Sequence, residues 1–155
     1  MIPYDDIRLL IASGLAKHTG NPVINLNSGG DMPQGPFLTY DFPSLLEGDR
    51  GFPVVTQVGD KQISTETVHF TVSFLSYAPF VSDSVKNAML ARDWFKGNGR
   101  LPLKNMNVVL VELGAVTNRD VKIGNESERR QGFDVELRTL DIVEFDLEWI
   151  DKINI

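Results

Sequence analysis

The chain has no cysteine and only two histidines, His18 and His69, in 155 residues. Disulfides, thiolate metal sites and cysteine nucleophiles are excluded together, and zinc has few ligands to draw on, so no metal site and no cofactor is expected. The composition suits a reducing compartment. No run approaches the roughly 18 apolar residues that span a bilayer, and Met1-Ile2-Pro3-Tyr4-Asp5-Asp6 lacks the basic and apolar stretches of a secretion signal. The expectation is a soluble, unexported protein without membrane association. Positive charge is also short: 15 Lys and Arg face 21 Asp and Glu, for a net charge of −6. A general grip on nucleic acid needs clustered bases, whereas here they are scattered without the basic-aromatic interleaving of an RNA-binding sheet. An acidic surface lets a polyanion slide past.

Catalytic motifs are missing as well. There is no Gly-x-Ser-x-Gly, no His-Glu-x-x-His and no EF-hand loop. The glycine-rich stretch from Asn27 to Pro36 fits neither a Walker loop nor a dinucleotide fingerprint and reads as a connector. His18 and His69 belong to no evident dyad. Asp134, Glu136, Glu144, Asp146 and Glu148 alternate with apolar residues, as on the solvent faces of strands. The Asn125-Glu126-Ser127 sequon has no use without secretion. One enzymatic rival remains, a small pocket near His69 and Tyr77.

What the chain does have is a strand pattern that turns into a helix pattern between Ser64 and Lys96. Val68, Phe70, Val72 and Phe74 alternate with His69, Thr71, Ser73 and Leu75, which predicts a strand with one buried face. Pro79 stops it, Ser82 or Asp83 offers a cap, and Val85, Ala88, Met89, Arg92 and Phe95 follow at helical spacing. Leu90 and Trp94 fall nearly opposite Val85 and Met89, so one packing surface cannot bury both groups. Either a loop of the same chain or a neighbouring subunit must cover Trp94. The subunit contact is the expectation carried forward, with Leu90 and Trp94 as interface residues.

Around this unit the chain reads as one domain, residues 1–155, long enough to bury about two-thirds of its extended surface without staples. A helix is expected from Tyr4 to Lys17, a short strand at Val23 to Leu26 and another from Phe37 to Phe42. Pro43 to Pro53 reads as a polar insertion, mobile or ordered only against a neighbour. Gly59-Asp60-Lys61 joins a hairpin from Val54 to Ser64. Gly97-Asn98-Gly99 provides a C-cap and turn after the central helix, and Pro102 prevents its continuation. Val108 to Val116 is almost continuously apolar, as for a strand covered on both faces, central in the sheet or at an interface. Thr117 to Gln131 is a charged loop containing Glu126, Glu128, Arg129 and Arg130. Phe133 to Leu137 and Val143 to Trp149 are half-buried runs, separated or bent by a bulge or turn between Thr139 and Ile142 because Asp141 breaks the parity. The fold class is α+β: a mainly antiparallel twisted sheet with two principal helices packed on one face and surplus apolar surface, which favours assembly over catalysis.

Four segments carry a resemblance: Ile7-Arg8-Leu9-Leu10-Ile11, Pro33-Gln34-Gly35-Pro36-Phe37-Leu38-Thr39-Tyr40, Val68-His69-Phe70-Thr71-Val72-Ser73-Phe74 with its helix, and Glu128-Arg129-Arg130-Gln131-Gly132-Phe133-Asp134-Val135. In this order they resemble phage neck terminator proteins, which are similar to tail terminator and tail completion proteins of tailed bacteriophages. The resemblance implies a tail-terminator-like fold and a non-enzymatic virion protein, assembled in the host cytoplasm. It further implies a hexameric homo-oligomeric ring at the head-proximal end of the tail, ending the tail tube. The ring would join the tail tube protein to the head–tail connector or neck protein and let genomic DNA pass without sequence-specific binding. Glu126, Glu128, Arg129 and Arg130, with Phe133 beside them, become the candidate loop facing the neck or the lumen.

Overall fold

The computed structural model describes residues 1–147 except Ser28 and Arg50. Glu148 and Trp149, the end of the last expected strand, lie outside the described residues. The elements are α1 (Tyr4–Thr19), β1 (Val23–Asn25), β2 (Phe37–Gly48), β3 (Val54–Val58), β4 (Lys61–Tyr77), α2 (Val81–Lys96), α3 (Arg100–Asn105), β5 (Val109–Leu113), β6 (Thr117–Asn118), β7 (Val121–Ile123), β8 (Glu126–Glu128) and β9 (Arg130–Asp146). The main sheet runs β1-β2-β4-β9-β5, with β3 added to β4 and β6 to β9. Among the described strands only β1 against β2 is parallel, and the other pairings are antiparallel. The α+β class expected from the sequence is the one found.

The period of two decides which face the helices take. Val68, Phe70, Val72 and Phe74 of β4 lie beside Leu38 and Tyr40 of β2 and beside Phe133, Val135 and Leu137 of β9, all buried. Ile7, Ile11 and Leu15 of α1, Ala91, Trp94 and Phe95 of α2 and Leu103 of α3 close over them as one core. Phe74 stacks on Phe133 with ring centres 5.1 Å apart. The other face carries His69, Thr71 and Ser73, is half-exposed, and has none of the three described helices on it.

Several boundaries differ from expectation, each for a local reason. The buried stripe of α2 is Ser84, Asn87, Ala88, Ala91, Trp94 and Phe95, while Met89 and Leu90 face outward. The helix has rolled toward α1, and Trp94, 4% exposed within a single chain, is covered by that chain. Of the two covers the sequence left open, the structure supplies the one within the chain, which corrects the expectation that Trp94 is buried by a subunit contact. Phe80 precedes the first helical turn, and neither Ser82 nor Asp83 acts as the cap because both lie inside α2. α2 stops at Lys96 as expected, and Pro102 sits in the first turn of a separate short helix, α3, where backbone N–H groups have no intrahelical acceptor to lose.

The segment read as an insertion after Pro43 is the second half of β2, which keeps pairing with β4 through two register shifts and a positive φ of 56° at Leu46. A proline in a strand is tolerated where the ladder is interrupted, and Pro43 falls inside the first shift. No bulge separates the two late runs, because β9 pairs with β4 without a break from Arg130–Tyr77 to Asp146–Lys61. Asp141 is accommodated by the chain's own amino group, 3.1 Å from its carboxylate. The apolar stretch after Val108 forms β5, which among the described strands is an edge bonded to β9 alone, with Val109 and Val111 exposed. Apolar character here marks an edge left open within the chain, which overturns the central position expected for this strand.

Candidate functional site

The stretch from Thr117 to Gln131 is folded, not a loop. After β6, a two-stranded hairpin of β7 and β8 turns at Gly124, whose φ of 63° suits glycine. Asp120 ties its base: one oxygen accepts the Arg130 backbone N–H at 2.7 Å, the other meets the Arg129 guanidinium at 3.1 Å. These bonds, the backbone one foremost, hold the Asp120 carboxyl below its ordinary pKa. Arg130 donates to the Arg119 carbonyl at 2.7 Å and to the Tyr77 hydroxyl at 3.3 Å. Arg119 in turn crosses the open sheet face to Ser73 at 3.2 Å and Asp134 at 3.3 Å.

The four candidate residues therefore separate. Glu126 is exposed near the hairpin tip and Glu128 is half-buried at its base. Arg129 is exposed but already paired with Asp120, whereas Arg130 is half-buried and bound to the sheet. Phe133, in the same motif, is fully buried in the core. Gly132 of the motif has a steric cause, because a Cβ there would come within 2.6 Å of Arg119 Cδ and 2.8 Å of the Phe74 carbonyl oxygen. The sequence signal that could have singled out Asp120 was Asn118 two residues before it, which accepts its backbone N–H, and Arg129 nine residues after it; read one residue at a time, it was an ordinary loop acid.

Tertiary structure brings two distant motifs to one end of the sheet. Phe37 pairs with Tyr77, Tyr77 pairs with Arg130, and the Phe37 and Tyr77 rings stack at 4.9 Å. A shallow depression of about 400 Å³ lies there between Pro33, Gly35, Phe37, Tyr77, Glu128 and Arg129. The 33–40 and 128–135 segments meet there across the end of β4, with Tyr77, Ala78 and Pro79 between them.

The enzymatic rival gains one feature and loses another. His69 Nδ1 lies 2.9 Å from a Glu136 oxygen and Nε2 lies 3.8 Å from Asp49, a cross-strand pairing that sequence spacing did not reveal. Yet His69 and Tyr77 are eight residues apart on one extended strand, roughly 26 Å, so no single pocket joins them. Among the described residues no cluster of three or more His, Asp or Glu is arranged to hold a metal ion.

The sequence as a whole matches the family described as phage neck terminator protein over residues 5–155. The chain belongs to the phage neck terminator family. None of the curated proteins compared with it matches. As a neck terminator it has a structural role in the neck and tail of a bacteriophage virion. In this neck terminator no helix among the described residues is long and apolar enough to cross a membrane. The resemblance read from the four segments is borne out.

Proposed function

We propose that this neck terminator closes into a hexameric ring at the head-proximal end of the tail, stops growth of the tail tube and joins it to the head–tail connector. The ring assembles in the host cytoplasm, and genomic DNA crosses its lumen without sequence-specific contacts. The observation that carries this reading is the family match over residues 5–155 in a chain that leaves apolar side chains uncovered at its edges. Leu90, 43% exposed beside Met89, is the α2 residue that a subunit contact would use. Trp94 supports such a contact only by holding α2 in place from within.

The β7–β8 hairpin, with Glu126 and Glu128, is the proposed element facing the neck or the lumen. Arginine is not presented alone there, since Arg129 carries Asp120 and Arg130 is turned into the sheet. A lumen that is acidic or neutral leaves DNA mobile, while bare Lys and Arg would retain it. The test is to add purified protein to growing tail tubes and image the ends by electron microscopy. The reading requires tubes of fixed length capped by a ring with six-fold symmetry. Tubes that keep growing with the protein in excess would overturn it, and a different symmetry would overturn the hexamer.

A further inference from the structure

Beyond the core, β3 and the outer halves of β4 and β9 continue as a single-layer, three-stranded arm over residues 54–66 and 140–146. No described strand pairs with β9 past Arg138 on its far side, and β3 pairs with β4 alone. The arm is apolar for something so exposed: Val54 is 64%, Phe145 53% and Ile142 49% open. It is also acidic, with Asp60, Glu66, Asp141, Glu144 and Asp146; Asp141 meets the Met1 amino group at 3.1 Å and Glu144 meets Lys61 at 3.6 Å, which leaves the arm a net excess of carboxylate.

A surface of opposite character lies elsewhere on the chain. Between α3 and β5 is a groove of about 390 Å³ floored by Phe95, Leu103, Val108 and Leu110 and rimmed by Arg100 and Lys104. From Phe95 to Val111 the sequence has three bases and no acid. The two surfaces cannot meet within one chain. Arg138 pairs with Val109 at the groove, and Phe145 lies seven residues farther along an extended strand, roughly 23 Å away.

We infer that the arm of one copy docks in the α3–β5 groove of the next, with Phe145 seated against the apolar floor. Glu144 and Asp146 flank Phe145 in the sequence, and in a ribbon one layer thick they stay within a Debye length, about 8 Å, of the basic rim. Opposite charge thus selects a second copy over an unrelated apolar partner. Because donor and acceptor are different patches, the contact is heterologous, the kind that generates a ring when its rotation closes. The inference rests on the ring reading above and names the contact that builds it.

The absence of cysteine makes a direct test possible. Phe145→Cys and Leu101→Cys proteins, Leu101 lining the groove and 66% exposed, are mixed on tail tubes and in free solution and oxidised with diamide. The expected product is a covalent dimer holding one of each, while neither variant alone gives one. Reversing the rim with Arg100→Glu and Lys104→Glu should lower its yield at least tenfold, and Glu144→Lys with Asp146→Lys on the partner should restore it. Tubes capped normally with no mixed dimer would overturn the contact and leave the terminator role standing. A mixed dimer with uncapped tubes would leave the contact standing and sink the role. Dimers of Phe145→Cys alone, or no restoration by the charge swap, would show that the arm meets something other than the groove.

Discussion

The Trp94 indole lies directly on the backbone of Gly14: a Cβ on that glycine would overlap Cζ2 and come within 2.9 Å of Cε2. Gly99 closes the other side, where an added Cβ would sit 2.6 Å from Cδ2 and Cε3. A helix glycine and a turn glycine therefore make the slot in which α2's only tryptophan is held, with Phe95 edge-on at 4.9 Å. Trp94→Ala should cost about 3–5 kcal/mol of stability in the isolated chain, and Gly14→Ala about 1–3 kcal/mol by overpacking. Urea unfolding checks both. Wild-type stability in Trp94→Ala, with assembly lost, would return the tryptophan to the subunit contact.

A second buried device joins β4 to the start of α2. Ser76 donates to the Ser84 carbonyl at 2.8 Å, Ser84 donates to the Ser76 carbonyl at 2.7 Å, and the Ser84 oxygen accepts the Gln131 N–H at 3.1 Å. Ser84→Ala leaves a buried N–H without its acceptor, so a loss of about 1–3 kcal/mol is expected. Amide exchange at Gln131 should rise at the same time; an unchanged rate would contradict the role given to the hydroxyl.

Gly132 should be intolerant of alanine although its strand is regular. The added methyl group must displace Arg119 or press on the Phe74 carbonyl, and displacing Arg119 breaks its bonds to Ser73 and Asp134. A loss of about 1–3 kcal/mol is expected. Circular dichroism melting of Gly132→Ala would refute this by overlaying the wild-type curve.

The hairpin base should titrate with acid. The Asp120 carboxyl is held below the usual aspartate value of about 3.9, first by the Arg130 backbone N–H and then by Arg129. A depressed folded value means that its contribution is complete above about pH 4 and fades as pH falls through the lower folded value. Carboxyl-carbon NMR should place the Asp120 midpoint below 3.9, about the unfolded value, with β7–β8 amide shifts following it. Asp120→Asn should abolish that dependence. A midpoint at or above the ordinary value would show that the tie at the hairpin base does not form in solution.

Tail tube capping offers a further check on Leu90. If α2's outer face is a subunit contact, Leu90→Asp should weaken ring formation at least tenfold while leaving the melting temperature of the free chain within about 2 °C, since exposed substitutions usually move stability by less than 0.5 kcal/mol or so. Normal rings from Leu90→Asp would remove α2 from the contact.

Local pattern was enough for some of this protein and not for the rest. Alternation in Val68 to Phe74 and Phe133 to Leu137 set which side chains face the core, because one-sided burial is written directly into a period of two. The spacing of Ile7, Ile11 and Leu15 did the same for α1, and the Gly59-Asp60 turn was legible because few residues tolerate the φ of 64° found there. Short motifs in order carried the family. None of these depends on a distant neighbour. Tertiary structure alone decided the roll of α2, since two apolar stripes competed and only the slot between Gly14 and Gly99 accepts an indole. It decided that Val109 and Val111 lie on an open edge, because apolar runs look alike in the centre and at the margin of a sheet. It also turned a charged loop into a fixed hairpin, since Asp120, Arg129, Arg130 and Tyr77 meet only when β9 lies beside β4, and pairing between strands 53 residues apart leaves no trace in either strand alone.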